Sequence, residues 1–209
     1  MTEISGQPVL ISVDNQMVEF DPDGGIPVMP GYEHCLSNSI ALVEAARAAR
    51  IPVIFTQDRH SRTLVDFGRE LDGVESIHCV EDHPSTELVD QLRPQPDEYL
   101  VTKRRYSAFF GTDLDVLLRG LGAETLILCG GLTDVCIHYT FVDAHQRDYH
   151  LRVATDGVIG SSEPAHRAAL SAMEYLQLDA LVASREIVTA FGTYDGPPRP
   201  GVAGARQPV

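Results

Sequence analysis

The sequence predicts an α/β protein, a three-layer α/β/α sandwich in which helices cover both faces of a parallel sheet. Short, continuously apolar runs alternate with helical patterns about six times along the chain. Strands that are apolar without interruption are typical of parallel sheets buried on both faces, and the helices between them supply the crossovers. Because such crossovers are right-handed, we expect a doubly wound sheet.

The first half of the chain contributes three strands and one long helix to this pattern. Three apolar runs predict the strands, at residues 9–13, 52–56 and 99–102. Asp14 directly follows the first run and Lys103 directly follows the third. Apolar side chains spaced i, i+4 and i+7, with an alanine-rich continuation to Arg50, predict the helix between the first two strands.

The second half repeats the alternation. Three more apolar runs predict strands, at residues 125–129, 151–155 and 178–182. Thr112 opens a leucine-rich helix pattern, and Asp115 three residues later completes a sequence similar to a capping box. Another helix is expected to begin near residue 133. Ser162 can cap the last predicted helix, with Pro164 in its first turn.

Two segments depart from the alternation. Residues 61–84 are polar and weakly periodic, and loops of this length are often functional. Residues 195–209 carry four prolines and three glycines, which predicts a disordered C-terminal tail or an arm lying on a partner subunit. The total of 209 residues suits one domain, which we assign to residues 1–194.

The charge balance argues against several classes of partner. The chain has 30 acidic and 16 basic residues, a net charge of −14, which repels nucleic acids and anionic membranes. No apolar run approaches the ~18 residues of a membrane span, and residues 1–5 do not resemble a signal peptide. We therefore expect a cytoplasmic protein. Its four cysteines lack CxxC spacing and are expected to be thiols.

Three reactive side chains follow predicted strands and should meet at one edge of the sheet. They are Asp14, Lys103 and Cys136, the last in the first turn of the helix after Gly130-Gly131. Ligands of open parallel sheets bind outside the carboxyl ends of the strands. Taken singly, the Asp could cap a turn, the Lys could be a solvated charge and the Cys a packed thiol. Together they predict a catalytic site.

The chemistry of such a site is coherent. A Cys near a helix N-terminus is favoured as the nucleophilic thiolate, and a neighbouring ammonium favours it further. A carboxylate in reach accepts the thiol proton and later delivers it to a leaving amine. Backbone N–H groups near the Gly-Gly turn can hold an oxyanion. We therefore expect acyl transfer to water from an amide substrate.

Three segments then resemble motifs of the isochorismatase-like cysteine hydrolases. Residues 13–20 are similar to the family's first-strand motif, residues 103–112 to its lysine motif, and residues 129–137 to its nucleophile loop. The likeness extends from about residue 8 to residue 184. The resemblance implies a six-stranded sheet in the order 3-2-1-4-5-6. It also implies a homodimer or homotetramer.

The resemblance also implies roles for individual residues. Asp14 would be the general acid and base, Lys103 its electrostatic partner and Cys136 the nucleophile, which forms a thioester. The backbone N–H groups of Leu132 and Cys136 would form the oxyanion hole. The peptide bond between Gly131 and Leu132 would be cis.

The retained Cys136 favours an amidase, because family members that cleave the vinyl ether of isochorismate do not all need the thiol. Nicotinamidases, carbamoyl-amide hydrolases and ureidoacrylate amidohydrolases are the candidates, and the stretch from Tyr106 resembles that of the ureidoacrylate hydrolases. Gln16, Phe20, Tyr106 and Phe109 are the predicted substrate-binding residues. The alternative is that Phe109 and Phe110 belong to the core. Phe20 falls one residue later than in the family's pattern.

A divalent metal is a second expectation from the resemblance. Asp58 and His60, with His78 in a His-Cys-Val element, are similar to the nicotinamidase metal site and suit Zn, Fe or Mn. The second His of that site is missing, and Asp66 stands near its place. The alternative is that these side chains line the pocket without a metal, since the cysteine chemistry requires no cofactor. The missing His argues against nicotinamide as substrate.

Two other function classes fit the sequence less well. A catalytically silent α/β module that binds a metabolite or a protein partner would not need an intact set of Asp14, Lys103 and Cys136. A dinucleotide-binding oxidoreductase would need a G-x-G-x-x-G sequence after the first strand, which is absent. The sequence therefore favours hydrolysis of a small amide, with a metal-assisted nicotinamidase as the alternative.

Overall fold

A computed structural model describes residues 4–20 and 25–196. Six strands form one sheet in the order β3-β2-β1-β4-β5-β6, and every neighbouring pair is parallel. The strands are β1 Pro8–Val13, β2 Val53–Asp58, β3 Tyr99–Lys103, β4 Thr125–Gly131, β5 His150–Ile159 and β6 Leu181–Val182. The predicted α/β class and the order 3-2-1-4-5-6 are confirmed.

Five α-helices lie among the described residues. They are α1 Tyr32–Ala48, α2 Leu114–Gly120, α3 His138–His145, α4 Glu163–Leu176 and α5 Ser184–Gly192. The sequence pattern did not predict α5, which buries Ile187 and Phe191 on one face. Short 3-10 turns occupy parts of the segment between β2 and β3. A π-helical turn, Thr133–Ile137, leads from β4 into α3.

The core is divided by the sheet into two apolar layers. Val9, Ile11 and Val13 of β1 face one layer and Leu10 faces the other, as the two-residue period of a strand requires. The first layer contains Leu114 of α2, Phe141 of α3 and Met173 of α4; the second contains Leu42 of α1 and Phe191 of α5. Both faces of the sheet are therefore covered by helices.

Element ends differ in places from the predicted ones. β6 has two residues, because Leu178 is exposed and precedes the strand, while β5 extends to Ile159. The helix predicted to open at Thr112 begins at Leu114, and Asp113 is its N-cap without a side-chain bond. The Thr112 hydroxyl still accepts from the Leu114 N–H at 3.2 Å. The Ser162 cap is present, since its hydroxyl accepts from the Ala165 N–H at 3.4 Å.

Two further expectations concern the ends of the chain and the membrane. Of the predicted tail, residues 195–209, the described residues include only the first two, so the tail prediction lies almost entirely outside them. Within the described ranges, no helix has the length and apolar composition to cross a bilayer.

Candidate active site

The topology of the sheet brings Asp14, Lys103 and Cys136 to one edge. Asp14 follows β1, Lys103 is the last residue of β3, and Cys136 lies in the turn after β4. Lys103 Nζ is 2.8 Å from Asp14 Oδ2 and 3.3 Å from Cys136 Sγ. The three side chains singled out in the sequence are therefore in mutual contact, with the ammonium between the carboxylate and the sulfur.

Asp14 is fixed by its neighbour on β2. Its N–H donates to Thr56 Oγ1 at 3.1 Å, and the Thr56 hydroxyl donates to Asp14 Oδ1 at 2.6 Å. The Asp14 backbone has φ +47°, a conformation in which the chain turns away at the end of β1. One carboxylate oxygen is thus held by a hydroxyl, and the other faces Lys103.

The turn that carries Cys136 depends on a close approach between the ends of β4 and β1, which are neighbours in the sheet. Gly130 has φ +111°, and a Cβ atom there would lie 2.0 Å from the Val13 carbonyl oxygen. No other residue type fits at this position without displacing the backbone. The Gly131–Leu132 peptide bond that follows is cis. The Leu132 N–H has no backbone acceptor among the described residues.

The same turn is attached to the loop after β5. The Asp134 carboxylate accepts from the Ser161 N–H at 2.8 Å and from its hydroxyl at 2.5 Å. Thr133 Oγ1 and His166 Nδ1 are hydrogen-bonded at 2.9 Å. These two attachments hold the π-helical turn between Leu132 and Cys136, one to the loop after β5 and one to α4.

Lys103 is fully buried, and its charge is balanced by carboxylates. Burial acts to lower the pKa of the ammonium, but Asp14 and Asp58 raise it well above the ordinary value. Its Nζ lies 3.7 Å from Asp58 Oδ2, in addition to the Asp14 contact. Burial acts to raise the pKa of Asp58, yet Lys103 and the neighbouring imidazoles together lower it. Lys103 is therefore a permanent cation with two anionic neighbours.

Cys136 differs from the sequence expectation of a resting thiolate. Burial raises the pKa of the thiol well above its ordinary value; Lys103 opposes this shift, and the charges of Asp14 and Asp58 add to it. Burial also raises the pKa of Asp14, against the effect of Lys103. The sequence predicted the Lys103 ammonium near the sulfur, but it did not predict that the carboxylates of Asp14 and Asp58 share this ammonium. The resting group is consequently a thiol beside a carboxylate.

A pocket of about 410 Å³, part of it open to solvent, lies over these groups. Its polar lining consists of Asp14, Gln16, Asp58, Glu75, His78 and Tyr106. Apolar side chains, among them Ile26 and Val135, complete the wall. Polar groups set within an apolar wall are typical of binding sites.

Of the four predicted substrate-binding residues, two line the pocket, one lies in the core, and the side chain of the fourth is outside the described residues. Gln16 and Tyr106 line the pocket, and Gln16 is held by Asp58, whose backbone N–H donates to Gln16 Oε1 at 2.9 Å. Phe109 does not line it, which corrects the prediction: its ring is buried in the core with the Arg147 guanidinium 4.6 Å above it. Phe20 ends a 3-10 turn, and its side chain lies outside the described residues.

Glu75 is a pocket residue that the sequence analysis missed. It lies in the predicted loop of residues 61–84, where no periodicity or motif indicates which side chain points inward. Burial raises the pKa of its carboxyl. Burial and the charge of Glu75 together raise the pKa of Tyr106 to about 12, so this phenol remains protonated. The two side chains thus belong to the same electrostatic environment.

Asp58, His60 and His78, the predicted metal ligands, form a buried group with Glu70, which was not predicted. His60 Nε2 is 3.5 Å from Asp58 Oδ1 and 3.3 Å from Glu70 Oε2, and His78 Nε2 is 3.8 Å from Asp58 Oδ2. One ligand atom from each residue lies within 4.8 Å of the others. Asp66 is outside the group, because its carboxylate accepts from the Ser61 N–H and from Arg104.

These donors fit a divalent ion. Asp58 Oδ1, His60 Nε2 and both Glu70 carboxylate oxygens are buried without a hydrogen-bond partner, which is costly unless an ion or a proton satisfies them. Two imidazoles and two carboxylates suit Zn, Fe or Mn. Burial acts to lower the pKa of His60, but Asp58 and Glu70 raise it to about 9. Without an ion, the imidazolium of His60 is the counter-charge of the group.

The sequence profile of the isochorismatase domain matches residues 8–186. Ureidoacrylate amidohydrolase RutB of Methylobacterium radiotolerans is 32% identical over 187 residues, covering 79% of this chain and 72% of the relative. A cysteine hydrolase from Pseudomonas syringae pv. phaseolicola has a similar structure, with TM-score 0.80 and 26% identity, covering 92% and 96%. The pyrazinamidase of Pyrococcus horikoshii in complex with zinc has TM-score 0.72 and 27% identity, covering 85% and 98%.

Proposed function

This chain belongs to the isochorismatase family, and from that premise we propose that it is a cysteine-dependent amidohydrolase acting on a small carboxamide or ureido compound. Members of the family include hydrolases that act on amides. The observation that carries the proposal is the position of the Lys103 ammonium, which contacts both Asp14 and Cys136 at the edge of the pocket.

The first step uses all three side chains. Cys136 Sγ attacks the carbonyl carbon while its proton passes to Asp14, so a free thiolate need not exist beforehand. Lys103 Nζ, 3.3 Å from the sulfur, stabilises the negative charge that develops there. The carbonyl π electrons move to the oxygen, and the N–H groups of Leu132 and Cys136 donate hydrogen bonds to that oxyanion.

The leaving group then departs with the same proton. Asp14 protonates the nitrogen, the C–N bond breaks, and ammonia or an amine leaves a thioester on Cys136. Water attacks the thioester carbon, gives a proton to Asp14, and displaces the sulfur, which recovers the proton as a thiol. The products are a carboxylic acid from a carboxamide, or a carbamic acid from a ureido compound.

Asp58, His60, Glu70 and His78 would hold a divalent ion beside this machinery. Such an ion, when bound, would supply Lewis-acid character at the wall of the pocket, to which Asp58 and His78 contribute directly. This position supports the alternative of a metal-assisted nicotinamidase. In either case Asp14 and Cys136 transfer the proton and form the covalent bond.

The direct test is ammonia release from nicotinamide, ureidoacrylate, carbamoylated amines and biuret, with and without a chelator. Cys136→Ala and Cys136→Ser should abolish turnover while the circular dichroism spectrum is unchanged. Cys129→Ala is the matched control, because burial raises the pKa of that thiol to about 12 and it does not line the pocket. Turnover retained by Cys136→Ala would refute the covalent route.

The silent binding module makes the opposite prediction. It would bind a metabolite with equal affinity in the native protein and in Cys136→Ala, and no compound would give a thioester detectable by mass spectrometry. We also propose a homodimer or homotetramer, as the resemblance implies. Light scattering after size-exclusion chromatography measures this directly, and a monomer would contradict it.

A further inference from the structure

We propose that Glu75 makes the pocket select amides whose far end is cationic or a neutral hydrogen-bond donor, and reject those that carry a carboxylate. This inference rests on the proposed amidohydrolase function, because it concerns the substrate of that site. It departs from the ureidoacrylate relatives, whose named substrate is an acid.

Glu75 is held against the pocket by its neighbours in the chain. The Ser76 N–H donates to the Gly25 carbonyl at 3.0 Å, and His78 Nδ1 donates to the Ser76 carbonyl at 2.6 Å. Its side chain is half-buried and lines the pocket. Within the described ranges, its carboxylate has no hydrogen bond and no ion pair. The carboxylate is therefore available to a ligand.

The remaining charges of the pocket offset the Glu75 carboxylate only in part, because the cations near it, His78 and Lys103, are themselves paired with other carboxylates. Asp14 and Asp58 also line the pocket, whereas no Lys or Arg of the described residues does. Lys103 is fully buried and is already between Asp14 and Cys136. His78 Nε2 faces Asp58 at 3.8 Å, so a charge on this imidazole is also paired.

A divalent ion would not change this balance. Two of its ligands, Asp58 and Glu70, are carboxylates that match the charge of the ion. Glu75 is not one of the four ligands and would stay unpaired. A substrate carboxylate would then meet a like charge at the pocket wall, which is unfavourable. A substrate ammonium, or the N–H groups of a urea, would instead pair with Glu75.

Three small amides separate these classes: 3-aminopropanamide, 3-hydroxypropanamide and succinamate. We expect kcat/KM for the ammonium and the neutral compound to exceed that for the carboxylate by about tenfold or more. Glu75→Gln should reduce the ratio of ammonium to carboxylate, and Glu75→Lys should invert it. Glu174→Gln is the matched control, because it removes the same charge from an exposed position of α4.

A second measurement does not depend on turnover. Methanethiosulfonate reagents that carry an ammonium or a sulfonate modify thiols, and peptide mapping assigns the modification to Cys136 separately from Cys79, which also lines the pocket. The ratio of the ammonium rate to the sulfonate rate should fall about tenfold in Glu75→Gln and stay constant in Glu174→Gln. An unchanged ratio in Glu75→Gln would overturn the proposal.

The two experiments separate this inference from the proposed function. Hydrolysis of succinamate as fast as the other amides, lost in Cys136→Ala, would overturn the charge selection and leave the amidohydrolase intact. A protein that hydrolyses none of the amides, yet shows the Glu75-dependent reagent ratio, would contradict the amidohydrolase and support the charge selection.

Discussion

Replacing Lys103 by Met tests whether the buried ammonium holds the site together. Met keeps the length of the side chain but removes the charge, leaving Asp14 and Asp58 buried without their cation. The separations are 2.8 Å to Asp14 and 3.7 Å to Asp58. At an effective dielectric constant of about 20, these correspond to attractions of roughly 6 and 4.5 kcal/mol.

The net cost is smaller, because burying the ammonium has its own desolvation penalty. Removing one partner of a buried ion pair typically costs about 3–5 kcal/mol. We expect Lys103→Met to lower the free energy of unfolding by that amount at pH 7.5. Since domains are stable by about 5–15 kcal/mol, the variant should remain folded but marginal. Its turnover should fall by about 10²–10³-fold or more, as when one electrostatic stabiliser is removed.

The destabilisation has a defined pH dependence. In the variant, burial raises the pKa of Asp14 with no ammonium to oppose it, so the charge of this carboxyl destabilises the fold at high pH, whereas Asp58 keeps its neighbouring imidazoles. Protonation removes this penalty, and the difference from the native protein should shrink as the pH falls from 7.5 to 5. In the native protein Asp58, whose pKa is lowered, stabilises the fold above its unfolded pKa and loses that contribution in acid.

Urea denaturation at pH 7.5 and pH 5 measures the loss of unfolding free energy and its dependence on pH. Adding Asp14→Asn to Lys103→Met should recover part of the stability and none of the turnover, because one unpaired carboxylate has been neutralised. Arg119→Met is the control, since its exposed guanidinium forms only a surface pair with Asp115. A loss below about 1 kcal/mol for Lys103→Met, or the same loss at both pH values, would refute the assignment of Lys103 as the counter-ion.

Three further predictions concern the metal group, a buried histidine and the close approach of Gly130 to β1. Glu70→Gln should weaken Zn²⁺ binding by about tenfold or more, measured by competition with a chromophoric chelator, and unchanged affinity would exclude Glu70 as a ligand. Burial lowers the pKa of His166, so its neutral form stabilises the fold above the unfolded value of 6.5 and this contribution is lost as the pH falls. Tm should therefore fall more between pH 7.5 and 5.5 in the native protein than in His166→Asn, and equal slopes would contradict this. Gly130→Ala would place Cβ 2.0 Å from the Val13 carbonyl oxygen and should cost about 3 kcal/mol in urea denaturation, whereas Gly120→Ala, with nothing within 4 Å, should not.

The positions of Asp14, Lys103 and Cys136 could be predicted because they depend on strand ends. In a parallel sheet the carboxyl ends of all strands lie at one edge, so a residue that follows a strand is placed by topology alone. Short apolar runs locate those ends to within a residue or two. β1 and β4 are neighbours, which brings Asp14 close to the turn of Cys136, and Lys103 reaches both from the edge strand β3, across β2.

Glu70 and Glu75 could not be predicted, because their positions are set by contacts within residues 61–84 rather than by a periodic element. Glu70 meets His60 only because the loop folds back on β2, where Phe67 stacks on the His60 ring at 3.8 Å. Tyr106 and Phe109 are only three positions apart, yet the first lines the pocket and the second does not, and the sequence alone could not distinguish them. The Ala108 N–H donates to Thr140 Oγ1 at 3.0 Å, and the turn fixed by this bond leaves Phe109 in the core.

The ionisation of Cys136 could not be predicted from its nearest sequence neighbours, because it depends on all the charges of the assembled site. A helix start and a lysine favour a thiolate when each is considered alone. In the assembled site, burial penalises every unpaired charge, and the Lys103 ammonium is already paired with two carboxylates. A resting thiolate would be a third anion around one cation, so the proton stays on sulfur until the attack begins. Within the proposed reaction, the negative charge on sulfur can then develop only as Asp14 gains the proton, which couples deprotonation of the nucleophile to attack on the substrate.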